Sequence, residues 1–315
     1  MRIAVLGVGA VGGWFGGSLV KAGHDVVFIA RGETLRVLRE EGLRLNDEPP
    51  IEVEAVDTLI DADILLLAVK VTAETDLAAL LHGLPEHTLV ATTQNSVEVP
   101  DLVADVVGRE RVHPGVVRGY FHHTGPGRVE FHGGPISYDV GEGGVDKFVE
   151  ALRGAGIDAT ARGDIDVDVW EKAMYVTTTG ALGALAQAPL GELRTRLRPS
   201  LKALMREVDA TARAHGVPLP DDAVARTLAF ADRMPADATS SMHRDLVAGR
   251  PNELDAQVGA VCRLAARHGV DVRTATVAAV SAAGGVVTVV LDDGSSVAAH
   301  AVVVGAGIAI DPALA

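Results

Sequence analysis

Short apolar runs alternate with helical patterns through the first half of the chain. RIAVLG, DVVFIA, ADILLLAVK and TLVATTQN predict strands, and AVGGWFGGSLVKAG, between the first two, predicts a helix. Continuous β-branched runs separated by helices are typical of a parallel sheet that helices cover on both faces. From about Val112 to Val140 the runs shorten and Gly and Pro interrupt them, which predicts a more antiparallel edge of the same domain.

The pattern turns helical from about Asp164 to Gly269. The predicted helices are IDVDVWEKAMYVTTTGALGALAQ, PSLKALMREVDATARAHG, PDDAVARTLAFADRM and NELDAQVGAVCRLAARHG. The fold class is therefore an α/β domain over residues 1–163, followed by an all-α domain over residues 164–270. Residues 271–315 read instead as three strands joined by Gly-rich turns, with DDGS as a hairpin signal, and form an atypical β-rich tail.

Composition and charge narrow the classes of function. The chain has 315 residues, 48% of them hydrophobic, and a formal net charge of −14. That balance argues against a nucleic-acid or anionic-membrane surface, because both need a basic face. No run approaches the roughly 18 apolar residues of a membrane span, and the single cysteine, Cys262, excludes an internal disulfide. We expect a cytoplasmic protein.

The first strand leads into a G-x-G-x-x-G sequence that opens the first helix. In such a turn Gly7 permits the tight bend, Gly9 lets the backbone approach a pyrophosphate, and Gly12 allows the helix to pack on the strand. The main-chain N–H groups at the start of the helix then face the phosphates. The predicted cofactor-binding turn comprises Gly7, Val8, Gly9, Ala10, Val11 and Gly12. A tight turn without a ligand is the alternative.

The residue after the second strand indicates which dinucleotide binds. NAD-binding chains usually carry an acid there, but this chain has Arg31 and no acid before Glu33. An arginine can hold a 2′-phosphate with paired hydrogen bonds, which predicts NADP(H) as cofactor. The alternative is a solvated surface charge.

Seven motifs together resemble the ketopantoate reductase (2-dehydropantoate 2-reductase) family over about residues 1–270. They are GVGAVG, AR at Arg31, AVKVTA, TQNSVE, WEKAM, SSMHRD and RPNELDAQ. The resemblance implies a Rossmann domain followed by a helical domain, NADPH as donor and a small branched 2-keto acid as acceptor. The reaction would reduce 2-dehydropantoate to (R)-pantoate, in pantothenate biosynthesis.

The resemblance also implies roles for individual residues. Lys70 and Asn95 would line the cofactor pocket, and Asn95 would also touch the substrate. Lys172 matches the proton donor, Ser241 a substrate ligand, and Glu253 a residue that reaches the cofactor and substrate.

Each of these residues also has an ordinary structural explanation. A lysine suits a ketone reduction, because charge develops on the carbonyl oxygen and the ammonium can give up a proton. Lys172 could instead pair with Asp168 or Glu171. Glu253 and Ser241 could cap helices, and Lys70 could simply extend from the end of its strand into solvent.

The chain departs from the family beyond the lysine. The family often has asparagines four and eight residues after it, where this chain has Val176 and Gly180. Thr179 lies on nearly the same helix face as Lys172 and is the residue expected to supply a substrate hydroxyl contact. Ser96 replaces the glycine usual after Asn95. These changes leave a related 2-keto acid as an alternative substrate.

No metal and no flavin are expected. His113, His122, His123 and His132 have no acid or cysteine at ligand spacing. The tail resembles a C-terminal piece of a ferredoxin-reductase-type flavoprotein, but the fingerprint that FAD would need already belongs to the first domain. Alternatives to the enzyme are a non-catalytic NADPH-binding sensor or regulator and a flavin-linked electron-transfer component. Since closed symmetric oligomers are common, we expect a homodimer.

Overall fold

The computed structural model describes residues 1–270 and three further strands at residues 277–283, 286–291 and 296–299. The strands within these residues are β1 Arg2–Leu6, β2 Asp25–Ile29, β3 Arg44–Leu45, β4 Glu54–Val56, β5 Ile64–Leu67, β6 Leu89–Thr92, β7 Val112–His113, β8 Gly115–Arg118, β9 Phe121–Gly125, β10 Arg128–Phe131, β11 Ser137–Gly141, β12 Asp158–Arg162, β13 Val277–Ala283, β14 Val286–Leu291 and β15 Ser296–Ala299.

The helices in the same part of the chain range from five to 22 residues in length. They are α1 Ala10–Lys21, α2 Gly32–Glu40, α3 Leu77–Leu81, α4 Val99–Val107, α5 Asp146–Gly154, α6 Ile165–Ala186, α7 Leu190–Arg194, α8 Arg198–Ala214, α9 Ala223–Arg233, α10 Ser241–Val247 and α11 Ala260–Arg267, with a 3-10 turn at Arg109–Arg111 and a π-helical turn at Asp255–Gly259.

The chain forms two compact units. One comprises Met1–Gln94 and Glu98–Val169, and the other comprises Asn95–Val97 and the described residues from Trp170 onward. The first contains the sheets β1 to β12, and the second contains α7 to α11. The predicted fold class, an α/β Rossmann domain followed by a helical domain, is confirmed.

A six-stranded, wholly parallel sheet organises the first unit, with the strand order β4-β2-β1-β5-β6-β7. The four strands predicted from apolar runs are β1, β2, β5 and β6, which lie side by side in its middle. Their residues are almost all buried, which is why these strands read as continuous apolar runs rather than alternating ones.

The predicted antiparallel region forms two further three-stranded sheets. Strand β10 pairs with β9 antiparallel and with β3 parallel, while β11 pairs with β8 antiparallel and with β12 parallel. A buried tyrosine ties one of them to the main sheet, since the Tyr138 hydroxyl donates a hydrogen bond to the Thr92 carbonyl oxygen at 2.7 Å. Burial raises the pKa of Tyr138 well above its usual value, so this hydroxyl stays a donor.

Helix α1 packs unusually close to its neighbours. A Cβ placed on Gly16 would lie 2.5 Å from Cε1 of Phe28, and one on Gly13 would lie 2.7 Å from Cγ2 of Val129. Glycine costs a helix interior about 0.5–1 kcal/mol relative to alanine. Here that cost is offset by burial of the aromatic side chains that the close approach allows, including Phe15 and Phe28.

A cluster of charges joins β8, β11, β12 and the start of α6. Asp168 has only 5% of its side chain exposed and bonds Arg118, with an Arg162 nitrogen 3.8 Å away. Asp139 accepts from Arg118 at 2.8 Å. Burial, followed by hydrogen bonding to Asp168 and repulsion from it, raises the pKa of Asp139. The Asp164 carboxylate pairs with Arg162 at 2.8 and 2.9 Å.

The second unit is built on α6, whose glycines admit α10. A Cβ on Gly180 would lie 2.5 Å from Cε of Met242, and one on Gly183 would lie 3.0 Å from Nδ1 of His243. On the other side of the unit, Nδ1 of His215 lies 2.9 Å from Nε2 of His268. Small residues therefore allow α6 and α10 to pack closely, and the imidazoles of His215 and His268 form a second contact within the unit.

The helix predicted over NELDAQVGAVCRLAARHG is interrupted by the π-turn. Within it, a carboxylate oxygen of Asp255 accepts from Nη1 of Arg263 at 2.8 Å and would overlap a Cβ on Gly259. The glycine thus leaves room for the ion pair that crosses the turn.

The tail contains the three predicted strands. Strand β14 pairs antiparallel with both β13 and β15. The predicted DDGS turn and the other features of the tail lie outside the described residues.

Replacing Gly16 by Ala is expected to lower the free energy of unfolding by about 1–3 kcal/mol, because the new methyl group would overlap the Phe28 ring. Gly154→Ala in α5 is the matched control, since the nearest atom to its Cβ would be His24 Nε2 at 3.9 Å. That change should be neutral or stabilise by up to about 1 kcal/mol. Urea denaturation measures both, and equal effects would contradict the packing explanation.

Asp139→Asn is expected to gain stability relative to the wild type as the pH rises. A folded-state pKa above the unfolded value means that Asp139 contributes its stabilising effect at low pH and loses it as pH rises through the folded pKa. Asp164→Asn should behave oppositely, because Arg162 lowers the pKa of Asp164 and the stabilisation is lost as pH falls. Melting temperatures from about pH 2.5 to pH 7 test both signs, since the Asp164 effect falls below about pH 4 and the Asp139 effect above it, and parallel changes would refute them.

Candidate active site

Four residues with predicted cofactor roles each follow the carboxyl end of a strand in the parallel sheet. Gly7 follows β1 directly, Arg31 follows β2 by two residues, Lys70 follows β5 by three, and Asn95 follows β6 by three. Strand order reverses between β1 and β5, since the chain proceeds from β1 to β2 on one side and continues through β5 and β6 on the other. In open α/β sheets ligands bind in the crevice at this reversal.

The glycine turn fits tightly against the loop after β5. Gly7 has a φ of +99°, and a Cβ there would lie 2.6 Å from the Val69 backbone nitrogen. A Cβ on Gly12 would overlap the Gly7 carbonyl oxygen and lie 2.9 Å from the Ala68 Cβ. Side chains are therefore excluded at both positions by backbone contacts that cannot move aside.

Gly9 has the opposite surroundings. No atom lies within 4 Å of the position its Cβ would take, and it is the residue that precedes α1. The first turn of α1 has no side-chain cap and no acidic residue. Main-chain N–H groups at the start of this helix are thus suited to hold an anion. These features fit the pyrophosphate of a dinucleotide, with Val8, whose side chain is buried, contributing backbone alone.

Arg31 is exposed at the start of α2, where its backbone is extended. The nearest acid in sequence, Glu33, accepts hydrogen bonds from Arg36 at 2.6 and 3.0 Å. This hydrogen bonding lowers the pKa of Glu33. Glu33, the acid nearest to the position where NAD-binding chains bond the ribose hydroxyl, is therefore paired within α2, while the side chain of Arg31 is exposed.

Gln94 is a structural residue of this edge that the sequence analysis missed. Its side-chain nitrogen donates to the carbonyl oxygens of Leu67 and Val69, both at 2.9 Å, and Thr93 donates to Leu67 at 3.0 Å. These bonds join the ends of β5 and β6 and so fix the loop that leads to Lys70. An amide directly after an apolar strand, in TQN, was the available signal.

Lys70 is exposed on that loop, and its carbonyl oxygen accepts from Thr75 at 3.1 Å. Its charge also reaches His123, whose pKa is lowered first by burial and then by repulsion from Lys70. The structure therefore brings His123 near Lys70.

Asn95 lies in the short segment grouped with the second unit. Its side-chain oxygen is buried and accepts no hydrogen bond from the described residues. Since buried polar atoms are usually satisfied, such an atom indicates a bound donor that a ligand would supply. The neighbouring Ser96 and Glu98 are buried.

Lys172 is half-buried in the second turn of α6. The two acids considered as its partners are both held by arginines: Asp168 bonds Arg118, and Glu171 accepts from Arg226 at 3.2 Å. Each of these two acids thus has an arginine partner.

The helix-capping alternative for Ser241 is wrong, because Ser240 takes that position. The Ser240 hydroxyl accepts from the His243 backbone nitrogen at 3.0 Å, which leaves Ser241 exposed as the first residue of α10. Asn252 accepts from the Leu254 nitrogen at 3.1 Å, next to the half-buried Glu253. Ser241 thus does not cap α10.

Thr179 is less available than predicted. It is 7% exposed, and its hydroxyl donates to the Tyr175 carbonyl oxygen at 2.7 Å. The hydroxyl could still accept a hydrogen bond, but its proton is already engaged within α6.

Within the described residues, no group of three or more His, Cys, Asp or Glu side chains could hold a metal ion. In the same part of the chain, no helix combines the length and the apolar character that crossing a membrane requires.

Comparison with known proteins extends these observations. The family described as ketopantoate reductase PanE/ApbA matches residues 3–144, and its C-terminal part matches residues 164–283. The 2-dehydropantoate 2-reductase of Caulobacter vibrioides is 31% identical over 278 residues, which cover 85% of this chain and 93% of the relative.

Two solved structures share the fold at comparable coverage. The ketopantoate reductase from Ralstonia eutropha JMP134 has a TM-score of 0.78 and 30% identity, covering 86% of this chain and 93% of its own. The 2-dehydropantoate 2-reductase from Methylococcus capsulatus has a TM-score of 0.79 and 25% identity, covering 86% and 92%.

Proposed function

We propose that this chain, which belongs to the ketopantoate reductase PanE/ApbA family and is an oxidoreductase, reduces 2-dehydropantoate to pantoate with NADPH. The observation that carries the proposal is the match of both parts of the family, in order, along the chain. The roles of individual residues below are part of the proposal.

The first unit would hold the cofactor through backbone and cations. The N–H groups of the Gly7–Gly12 turn would bind the pyrophosphate, and Arg31 would bind the 2′-phosphate. Lys70, Asn95 and Glu253 would contact the remainder of the dinucleotide. The accessible space at Gly9 and the unsatisfied oxygen of Asn95 support these assignments.

Bound NADPH supplies a hydride to the carbonyl carbon of the 2-oxo acid. We assign to Lys172 the stabilisation of the charge that develops on the carbonyl oxygen and the delivery of a proton to it. One proton is consumed per hydroxyl formed, so the lysine must regain it from solvent in each cycle. The side chain of Lys172 is partly exposed, which supports a route to solvent for that proton.

Ser241 and Asn95 would orient the substrate. An exposed hydroxyl at the start of α10 can donate to a carboxylate, and the Asn95 amide can donate to the carbonyl or carboxylate oxygens. Thr179 is retained as a weaker candidate, limited to accepting a hydrogen bond.

Lys172→Ala is expected to lower kcat by about 10²–10⁴-fold while NADPH affinity changes little, because the loss falls on proton transfer. Lys172→Arg should bind substrate but remain slow, since a guanidinium does not release a proton. Stopped-flow oxidation of NADPH and fluorescence titration measure the two effects. Lys202→Ala, an exposed lysine on α8, is the control and should behave as the wild type.

Wild-type rates in Lys172→Ala would remove the lysine from the mechanism. Tight NADPH binding without oxidation of the cofactor by wild-type protein, across a panel of 2-oxo acids, would instead indicate a sensor or regulator.

Arg31→Ala is expected to weaken NADPH binding by about 10–100-fold and to leave NADH binding nearly unchanged, because a charge-assisted hydrogen bond contributes about 1.5–3 kcal/mol. Arg36→Ala is the matched control on α2, since Arg36 already bonds Glu33 and Glu40. Direct titration with both dinucleotides measures the ratio. An unaltered preference in Arg31→Ala would assign the 2′-phosphate to another residue.

A further inference from the structure

The face of α6 around Lys172 carries few groups that could recognise a polar substrate side chain. Along the helix beyond the lysine, Val176 is the half-buried residue one turn on. Tyr175 is directed towards α9, where its ring stands edge-on to Phe230 at a centroid distance of 4.9 Å. The half-buried side chain one turn beyond Lys172 on this helix is therefore an apolar one.

The hydroxyls that follow Val176 are turned into the helix. Thr178 donates to the Met174 carbonyl oxygen at 2.6 Å and Thr179 to that of Tyr175 at 2.7 Å. The Thr177 hydroxyl is buried and lies about 140° around the helix from Lys172. These three consecutive threonines thus add no accessible donor beside the lysine.

One turn further, the face is closed. The side chain of Met242, 2% exposed, and the hydroxyl of Ser240 cover the backbone of Gly180. A Cβ on Gly180 would lie 2.5 Å from Cε of Met242 and 3.0 Å from Oγ of Ser240. The Ser240 hydroxyl accepts from the His243 backbone nitrogen as the cap of α10. A substrate group in this direction would meet Cε of Met242 first, with the Ser240 oxygen beside it.

We propose that the substrate side-chain subsite next to Lys172 is apolar, and that its substrate class is 2-oxo acids with a branched aliphatic side chain, whether or not that side chain carries a hydroxyl. The inference rests on the proposed function, since it takes Lys172 as the residue that faces the carbonyl oxygen. Val176 and Met242 are the residues that set this preference.

The size of the effect separates an apolar subsite from a polar one. A site built to bond a substrate hydroxyl rejects the analogue that lacks it by about 10⁴–10⁵-fold, because its own polar groups are left unpaired. An apolar pocket discriminates against an added hydroxyl by only about 10²-fold. The two kinds of subsite therefore predict different ratios of kcat/KM for the acid with the hydroxyl and the acid without it, both in direction and in magnitude.

The test compares 2-dehydropantoate with 3,3-dimethyl-2-oxobutanoate, which has the same skeleton without the hydroxyl. Wild-type protein is assayed with NADPH for kcat/KM on each acid, and isothermal titration measures binding of the two corresponding 2-hydroxy acids. We expect the acid without the hydroxyl to equal 2-dehydropantoate or to exceed it by up to about 100-fold. Binding of the hydroxy acids should follow the same order.

Val176→Asn supplies an amide at the apolar position and should raise the preference for 2-dehydropantoate at least 10-fold. Leu185→Asn is the matched control, because it places the same residue on α6 at a position 44% exposed and about 140° around the helix from Lys172, and it should leave the ratio unchanged. Tyr175→Phe removes the phenol hydroxyl alone and should also leave the ratio unchanged.

The outcomes are distinguishable. A wild-type kcat/KM for 2-dehydropantoate that clearly exceeds that for the acid without the hydroxyl, or the selective loss of such a preference in Tyr175→Phe, overturns the apolar subsite while the reductase function stands. Reduction of neither acid overturns the proposed function itself, and the binding measurement then reports on the subsite independently of turnover.

Discussion

The close contact between the glycine turn and the loop after β5 is the constraint on which the rest of the first unit depends. Gly7 lies against the backbone of Ala68 and Val69, and Gly12 lies against the Gly7 carbonyl, with no space for a methyl group at either position. This contact determines how closely α1 approaches β1 and β5, and hence where its N-terminus opens. The remaining glycines of α1 continue the same approach towards Phe28 and Val129.

The second unit also uses glycines to bring elements close together, here two helices. Gly180 and Gly183 allow α10 to pack directly on α6, and the side chain of Met242 occupies the space thus created. In the first unit the absence of side chains leaves room for a ligand at Gly9, whereas in the second it leaves room for the protein itself. The absence of side chains therefore leaves open space at the start of α1 in one case and allows close helix packing in the other.

Much of the fold could be predicted from the sequence, because buried parallel strands are apolar throughout and helices such as α2, α8 and α11 are amphipathic. The site was predictable as far as chain position decides it: Gly7, Arg31, Lys70 and Asn95 all follow strands whose carboxyl ends share an edge. What failed was side-chain direction. Neither the back-bonding of Thr179 nor the capping by Ser240 and Asn252 follows from spacing, because each depends on which of several nearby partners a hydroxyl or amide reaches. The two small mixed sheets depend on long-range pairing, which local patterns do not encode.

The π-turn at Asp255–Gly259 has a consequence for how this region is compared with related chains. A π-turn holds one more residue than an α-turn, so everything before it is rotated by about 100° relative to an uninterrupted helix. If the regular helical spacing of α11 were continued backwards through the turn, it would therefore place a residue next to Glu253 in the direction that Glu253 takes. A relative lacking the extra residue would present the equivalent carboxylate in the same direction only with a one-residue gap in its alignment.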